Sequence, residues 1–114
     1  MSRNRTDRAS ERRRYRRVRV NLIGRYMLAN GAEYGCRVQD ISPGGLALME
    51  YAPGRVGERV IAYIDNIGRV QGTIIRPLST GFAMMIAATE HGRDRIARRI
   101  ARITNDQILP DIIS

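Results

Sequence analysis

From Val18 onward the chain is a succession of short alternations of apolar and polar residues, each closed by residues that turn a backbone. "VRVNL" alternates as a half-buried strand does, and "IGRYML" continues it past Gly24, where a bulge is expected because a glycine sits inside the strand. "ANGA" supplies an Asn-Gly turn, so "EYGCRVQD" returns antiparallel. "GLALMEY" is a third strand, closed by "APGRVG"; "ERVIAYI" is the fourth, "RVQGTIIR" the fifth and "FAMMIA" the sixth, with "DNIG" and "PLSTG" turning the chain between them. Six short, evenly spaced strands with no helix between them predict an all-β antiparallel barrel or sandwich over about residues 18–87.

The end of the chain changes period. In "EHGRDRIARRIARIT", Ile96, Ile100 and Ile103 recur at helical spacing with Ala97 and Ala101 beside them, while Arg95, Arg98, Arg99 and Arg102 fill the other face. A helix over about 90–104, packed on the barrel, follows. Thr89 and Glu90 suit its start and Asn105 its end, leaving 105–114 as a tail. The arginine face is read as an ordinary solvated helix face.

With 114 residues, one domain is expected, and 43% hydrophobic residues with no Trp and one Phe make its core aliphatic. No apolar run is long enough to span a membrane, and no apolar segment follows the basic N-terminus as in a signal peptide, so a cytoplasmic location is expected. Cys36 is alone and reads as a small apolar strand residue. Met84 and Met85 read as one core and one surface residue.

All 20 basic residues are arginine. Arginine presents a planar fork of donors that meets phosphate or a guanine edge with two bonds, whereas lysine is a point charge. Nine of the arginines fall in the first 19 residues, opposed only by Asp7 and Glu11, so this stretch carries +7 of the net +9. Residues 1–11 therefore read as a flexible basic arm, self-repelling until an anion gathers it.

Catalysis is not expected. His91 is the single histidine, Ser42 has no base near it in sequence, and no set of His, Cys and carboxylates has metal-ligand spacing. "SPGG" lacks the GK[ST] segment of a phosphate-gripping loop. Asp40 and Ser42, taken singly, are ordinary turn residues.

Taken together they carry more. "ERRRYRRV" contains Arg13 and Arg17 as RxxxR, and Asp40, Ser42 and Gly45 spell DxSxxG after the first hairpin. Arg12 and Arg16 also form RxxxR, but in the family that the chain resembles Arg13 and Arg17 fit better, since Glu11 and Arg12 then precede the motif as is usual there. In this order, around the first hairpin of a six-stranded barrel followed by a helix, the chain resembles the PilZ domain family, bacterial receptors for the second messenger cyclic di-GMP. The resemblance spans about Glu11 to Thr104, and it implies a domain at 12–104 with a PilZ-like barrel.

It further implies cyclic di-GMP as ligand and no other cofactor, with Arg12, Arg13, Arg14, Arg16, Arg17, Asp40, Ser42, Gly44 and Gly45 as binding residues. A guanine offers O6 and N7 to an arginine fork, and its N1 and N2 protons suit a carboxylate such as Asp40. Ser42 would add a hydroxyl bond, Gly44 and Gly45 would let the backbone approach in conformations barred to other residues, and Pro43 would stiffen the turn. In the family, an arginine at the place of Arg12 goes with two intercalated ligands. Binding is expected to order the arm and to signal to an unidentified protein effector in motility, adhesion or exopolysaccharide control. Two rivals are a basic nucleic-acid-binding module, disfavoured because it gives Asp40 no role, and an adaptor of the same family that needs no nucleotide.

Overall fold

A computed structural model describes residues 16–113, with side chains described to Thr104. Among the described residues, six strands precede one helix: β1 (Val18–Leu28), β2 (Glu33–Ser42), β3 (Gly45–Met49), β4 (Arg59–Ile64), β5 (Gly68–Pro77), β6 (Phe82–Ile86) and α1 (Glu90–Ile113). All neighbours pair antiparallel in the order β1-β2-β3-β6-β5-β4, and β4 pairs back on β1 to close a barrel. The closing contact runs over Gly24–Leu28, so most of the sheet has no free edge.

The alternation seen in the sequence is the inside-outside pattern of this barrel. Tyr26, Val38, Ile41, Leu46, Leu48, Val60, Ala62, Ile74, Phe82 and Met84 point inward and are buried, whereas Met85 is half exposed. The core is aliphatic around one aromatic cluster, in which Tyr26 stacks on Tyr34 and meets Phe82 edge-on at 5.2 Å. The Tyr26 hydroxyl donates to the Pro53 carbonyl at 2.6 Å, tying the loop after β3 to the barrel. Each buried Leu, Ile or Val contributes about 1.5–3 kcal/mol.

The Asn30-Gly31 turn forms as expected, with Gly31 at φ 89° and the Leu28 amide donating to the Ala32 carbonyl. Gly24 behaves differently from its expected role. It stays in register with both Cys36 and Ile64, and the irregularity in β1 lies between Arg19 and Leu22. A Cβ at Gly24 would stand 2.9 Å from the Tyr63 carbonyl, so the glycine serves a close approach of β4 and not a bulge. β3 is shorter than the run "GLALMEY" suggests, because Glu50 and Tyr51 both take positive φ and end the ladder at Met49.

The helix begins as predicted. Thr89 caps it, its Oγ accepting the Gly92 amide at 3.0 Å. Ile96, Ile100 and Ile103 are buried, and α1 lies against β1 and β2. It does not stop near Asn105 but continues to Ile113. Asn105 is followed by no glycine to end the helix there. Among the described residues no helix is long and apolar enough to cross a membrane.

Candidate functional site

The antiparallel pairing of β1 with β2 brings together residues more than twenty apart in sequence. Val18 lies opposite Ile41 and Arg19 opposite Asp40, so the segment entering β1 runs beside the end of β2. There the Arg17 guanidinium Nη1 donates to Asp40 Oδ2 at 3.2 Å. The two motifs thus meet in one ion pair, with Arg17 about half exposed and Asp40 one-third exposed.

Asp40 faces outward because of an irregularity in its strand. Cys36 and Val38 point into the barrel, but the next inward residue is Ile41, one position late. The ladder to β3 shifts between Val38 and Asp40, and the ladder to β1 shifts between Arg19 and Leu22. An extra residue on each side of the pairing leaves Gln39 and Asp40 both outside the barrel. Arg37 braces this stretch: its Nε donates to Glu50 Oε1 at 2.8 Å and its Nη1 to Asn21 Oδ1 at 2.7 Å. It therefore links the irregular part of β1 to the left-handed end of β3. Neither Arg37 nor Arg19, the register partner of Asp40, was singled out from the sequence. The one signal present was the pair of consecutive polar residues, Gln39 and Asp40, interrupting an otherwise strict alternation.

The turn that follows has two residues, Pro43 and Gly44. Ser42 is buried and engaged locally, its Oγ accepting the Gly44 amide at 3.2 Å and donating to the Gly45 carbonyl at 3.4 Å. The Ile86 amide donates to the Gly44 carbonyl, anchoring the turn to the end of β6. Neither glycine adopts a conformation barred to other residues, since neither has positive φ. Gly45 is required by proximity: a Cβ would sit 2.8 Å from the Met84 carbonyl of β6. Gly44 borders open space, with only Ser42 Oγ near its would-be Cβ, at 3.9 Å.

Pro43 is buried and, with exposed Arg16, Val18, Ala97, Ile100, Ala101 and Thr104, lines a groove of about 280 Å³ between the start of β1 and the helix. Of the expected binding residues, Arg16, Arg17, Asp40, Ser42, Gly44 and Gly45 are thus collected around one end of β2. Arg12, Arg13 and Arg14 lie outside the described residues. Among the described residues no three His, Cys, Asp or Glu are grouped to hold a metal.

Comparison with known proteins agrees with this architecture. No curated protein sequence matches the chain. Among solved structures, the PilZ domain of CeSA from a cellulose-synthesizing bacterium superposes with a TM-score of 0.66 at 16% identity, covering 78% of this chain and 98% of that one. The PilZ domain of YcgR from Escherichia coli, solved with c-di-GMP, gives 0.60 at 16% identity, covering 85% and 97%. MrkH of K. pneumonia in its c-di-GMP complex gives 0.53 at 24% identity, covering 86% of this chain and 52% of that one. These likenesses concern the fold. The PilZ domain model matches residues 11–106, nearly the whole sequence, and with the closed six-stranded barrel and its C-terminal helix this establishes that the chain belongs to the PilZ domain family.

Proposed function

We propose that this chain is a receptor for cyclic di-GMP, held on the face formed by the end of β2, the Pro43–Gly44 turn and the segment entering β1. The observation that carries the reading is the meeting of Arg17 with Asp40 at 3.2 Å, a guanidinium fork beside an outward carboxylate. Those are the two groups a guanine needs. Its O6 and N7 accept from the fork, and its N1 and N2 protons go to the carboxylate. Family membership and the c-di-GMP carried by the YcgR domain and by MrkH point the same way.

Asp40 need not release Arg17 to take the ligand. The ion pair uses Oδ2, and a carboxylate has about four lone-pair sites to share. Ser42, already bonded within its turn, acts by fixing the turn's shape. Gly44 offers a surface without a side chain where the ligand would lie. Arg16, with Arg12, Arg13 and Arg14, supplies charge for the two phosphates, and enough of it to accept a second, intercalated ligand.

The mechanism follows from charge. Ligand phosphates draw the basic residues of the N-terminal segment toward Asp40, and the segment docks against the barrel as a new surface for a protein effector. This makes the chain a receptor and not a catalyst. A general phosphate binder fits less well, because it would place the Asp40 carboxylate against the backbone it must approach.

Isothermal titration of nucleotide-free protein with cyclic di-GMP, GTP and a short DNA tests the reading. Selective binding of cyclic di-GMP at one or two per chain supports it. Equal, salt-sensitive binding of all three assigns the charge to non-specific phosphate contact and overturns it.

A further inference from the structure

Across the barrel from β2 lies a second surface that the motif face does not use. In the strand order β1-β2-β3-β6-β5-β4, β5 is the strand opposite β2. A cavity of about 400 Å³ opens on the outer side of β4 and β5, lined by Met27, Ile61, Gln71, Thr73, Ala87 and the arginine Arg59 among others. A second, of about 650 Å³, runs between β5 and α1, with Arg69, Arg95 and Arg99 on its walls and Ala88 and Ile96 on its floor. Gln71 and Ala87 line both. The two cavities therefore adjoin along Gln71 and Ala87, and together they form a grooved surface from the first hairpin across β4 and β5 to the helix.

Its chemistry is consistent along its length. The lining is largely apolar with Gln71 and Thr73 among it, four arginines stand along the walls, and no carboxylate lines either cavity. Arg99 is held by donating Nη1 to the Ile67 carbonyl, and Arg69 Nη2 reaches Gln71 at 3.2 Å, so two of these cations are fixed in place without losing charge. Tyr63, the register partner of Arg69, is half exposed beside the groove. Tyrosine and arginine around an apolar centre are the residues that most often anchor protein contacts.

We infer that this groove docks an extended protein segment in which carboxylates flank apolar anchors. A second copy of the chain is the wrong occupant, since each copy carries a net charge of +9. A nucleic acid fits less well, because Tyr63 alone stands beside the groove where successive bases would need several rings to stack on. The inference is independent of what binds at Asp40.

The test uses the full chain, isotopically labelled for NMR, and three probes: a peptide of alternating Glu and Leu, its Lys-Leu counterpart and an oligo-dT strand. The Glu-Leu peptide is expected to shift the amides of Ile61, Gln71, Ala87 and Arg95, and the doubly substituted Arg69→Glu/Arg95→Glu protein is expected to bind it at least tenfold more weakly. Both positions are exposed, and an unchanged dispersion of the remaining amides verifies the fold. An Arg16→Ala/Arg17→Ala protein should bind the peptide as the parent does. Shifts confined to residues 1–17, equal response to the Lys-Leu peptide, tighter binding of oligo-dT in the groove, or no binding at all would overturn the inference.

Discussion

Replacing Asp40 by alanine separates the binding role of this residue from its structural one, because the two differ in size. Structurally, Asp40 contributes one ion pair of 3.2 Å whose partners are about one-third and one-half exposed. Solvent screening limits such a pair to about 0–1 kcal/mol. For a domain of this size that is a fall in melting temperature of no more than about 4–8 °C. In the proposed complex, the carboxylate would accept guanine N–H groups in charge-assisted bonds worth about 1.5–3 kcal/mol each. Losing one or two of them, with some relief because Arg17 is freed to follow the ligand, leaves a deficit of about 2–4 kcal/mol. The affinity for cyclic di-GMP should fall roughly thirty- to several-hundred-fold. Calorimetric titration and thermal melts on the same preparation read both numbers. A variant that melts normally and binds within about threefold of the parent would show that Asp40 does not touch the guanine. A variant that fails to fold would show that the ion pair has been undervalued.

Other outcomes follow from the same geometry. Gly45→Ala puts a methyl 2.8 Å from the Met84 carbonyl and should cost about 1–3 kcal/mol in urea unfolding, whereas Gly44→Ala, facing open space, should leave stability unchanged. Gly72→Ala drives a methyl into the Met85 carbonyl, with backbone and not a side chain in the way, and should cost about 3 kcal/mol or more. Stability should decline in alkali. Burial raises the Cys36 thiol from 9.0 to about 11 and lifts the Tyr26 phenol well above its ordinary 10.0, so the unfolded chain loses these protons first and the stabilisation drains away as pH climbs through 9 and then 10. Chemical denaturation at pH 7, 9 and 10.5 checks this, and Cys36→Ala should flatten the first part of the decline. The same buried thiol should react with a disulfide reagent only after denaturant is added, its rate in the native protein being governed by unfolding.

Much of the fold is legible in the sequence because the barrel imposes period two on nearly every strand. Val60, Ala62 and Ile64, or Val70, Gly72 and Ile74, point inward as their alternation requires. What was hidden has a common physical character: it depends on how one strand meets another. The irregularity that turns Asp40 outward is a relation between β2 and its two neighbours, and the sequence of β2 alone shows only two adjacent polar residues. Gly24 and Gly45 look like flexible points, yet their need for a hydrogen in place of Cβ comes from the carbonyls of Tyr63 and Met84, on strands that are distant in sequence. The helix overran its predicted end because Asn105 is a weak stop without a following glycine. The Arg17–Asp40 meeting, by contrast, follows from the antiparallel hairpin that the Asn30-Gly31 turn signalled.

Where the ligand sits can be read directly by recording amide spectra of the labelled chain as cyclic di-GMP is added. Shifts concentrated at Arg16 to Arg19 and Asp40 to Gly45, with Ile61, Gln71 and Ala87 unmoved, are predicted. Shifts centred on the opposite side of the barrel, or spread evenly over every exposed arginine, would contradict the placement of the site and the roles given to Arg17 and Asp40.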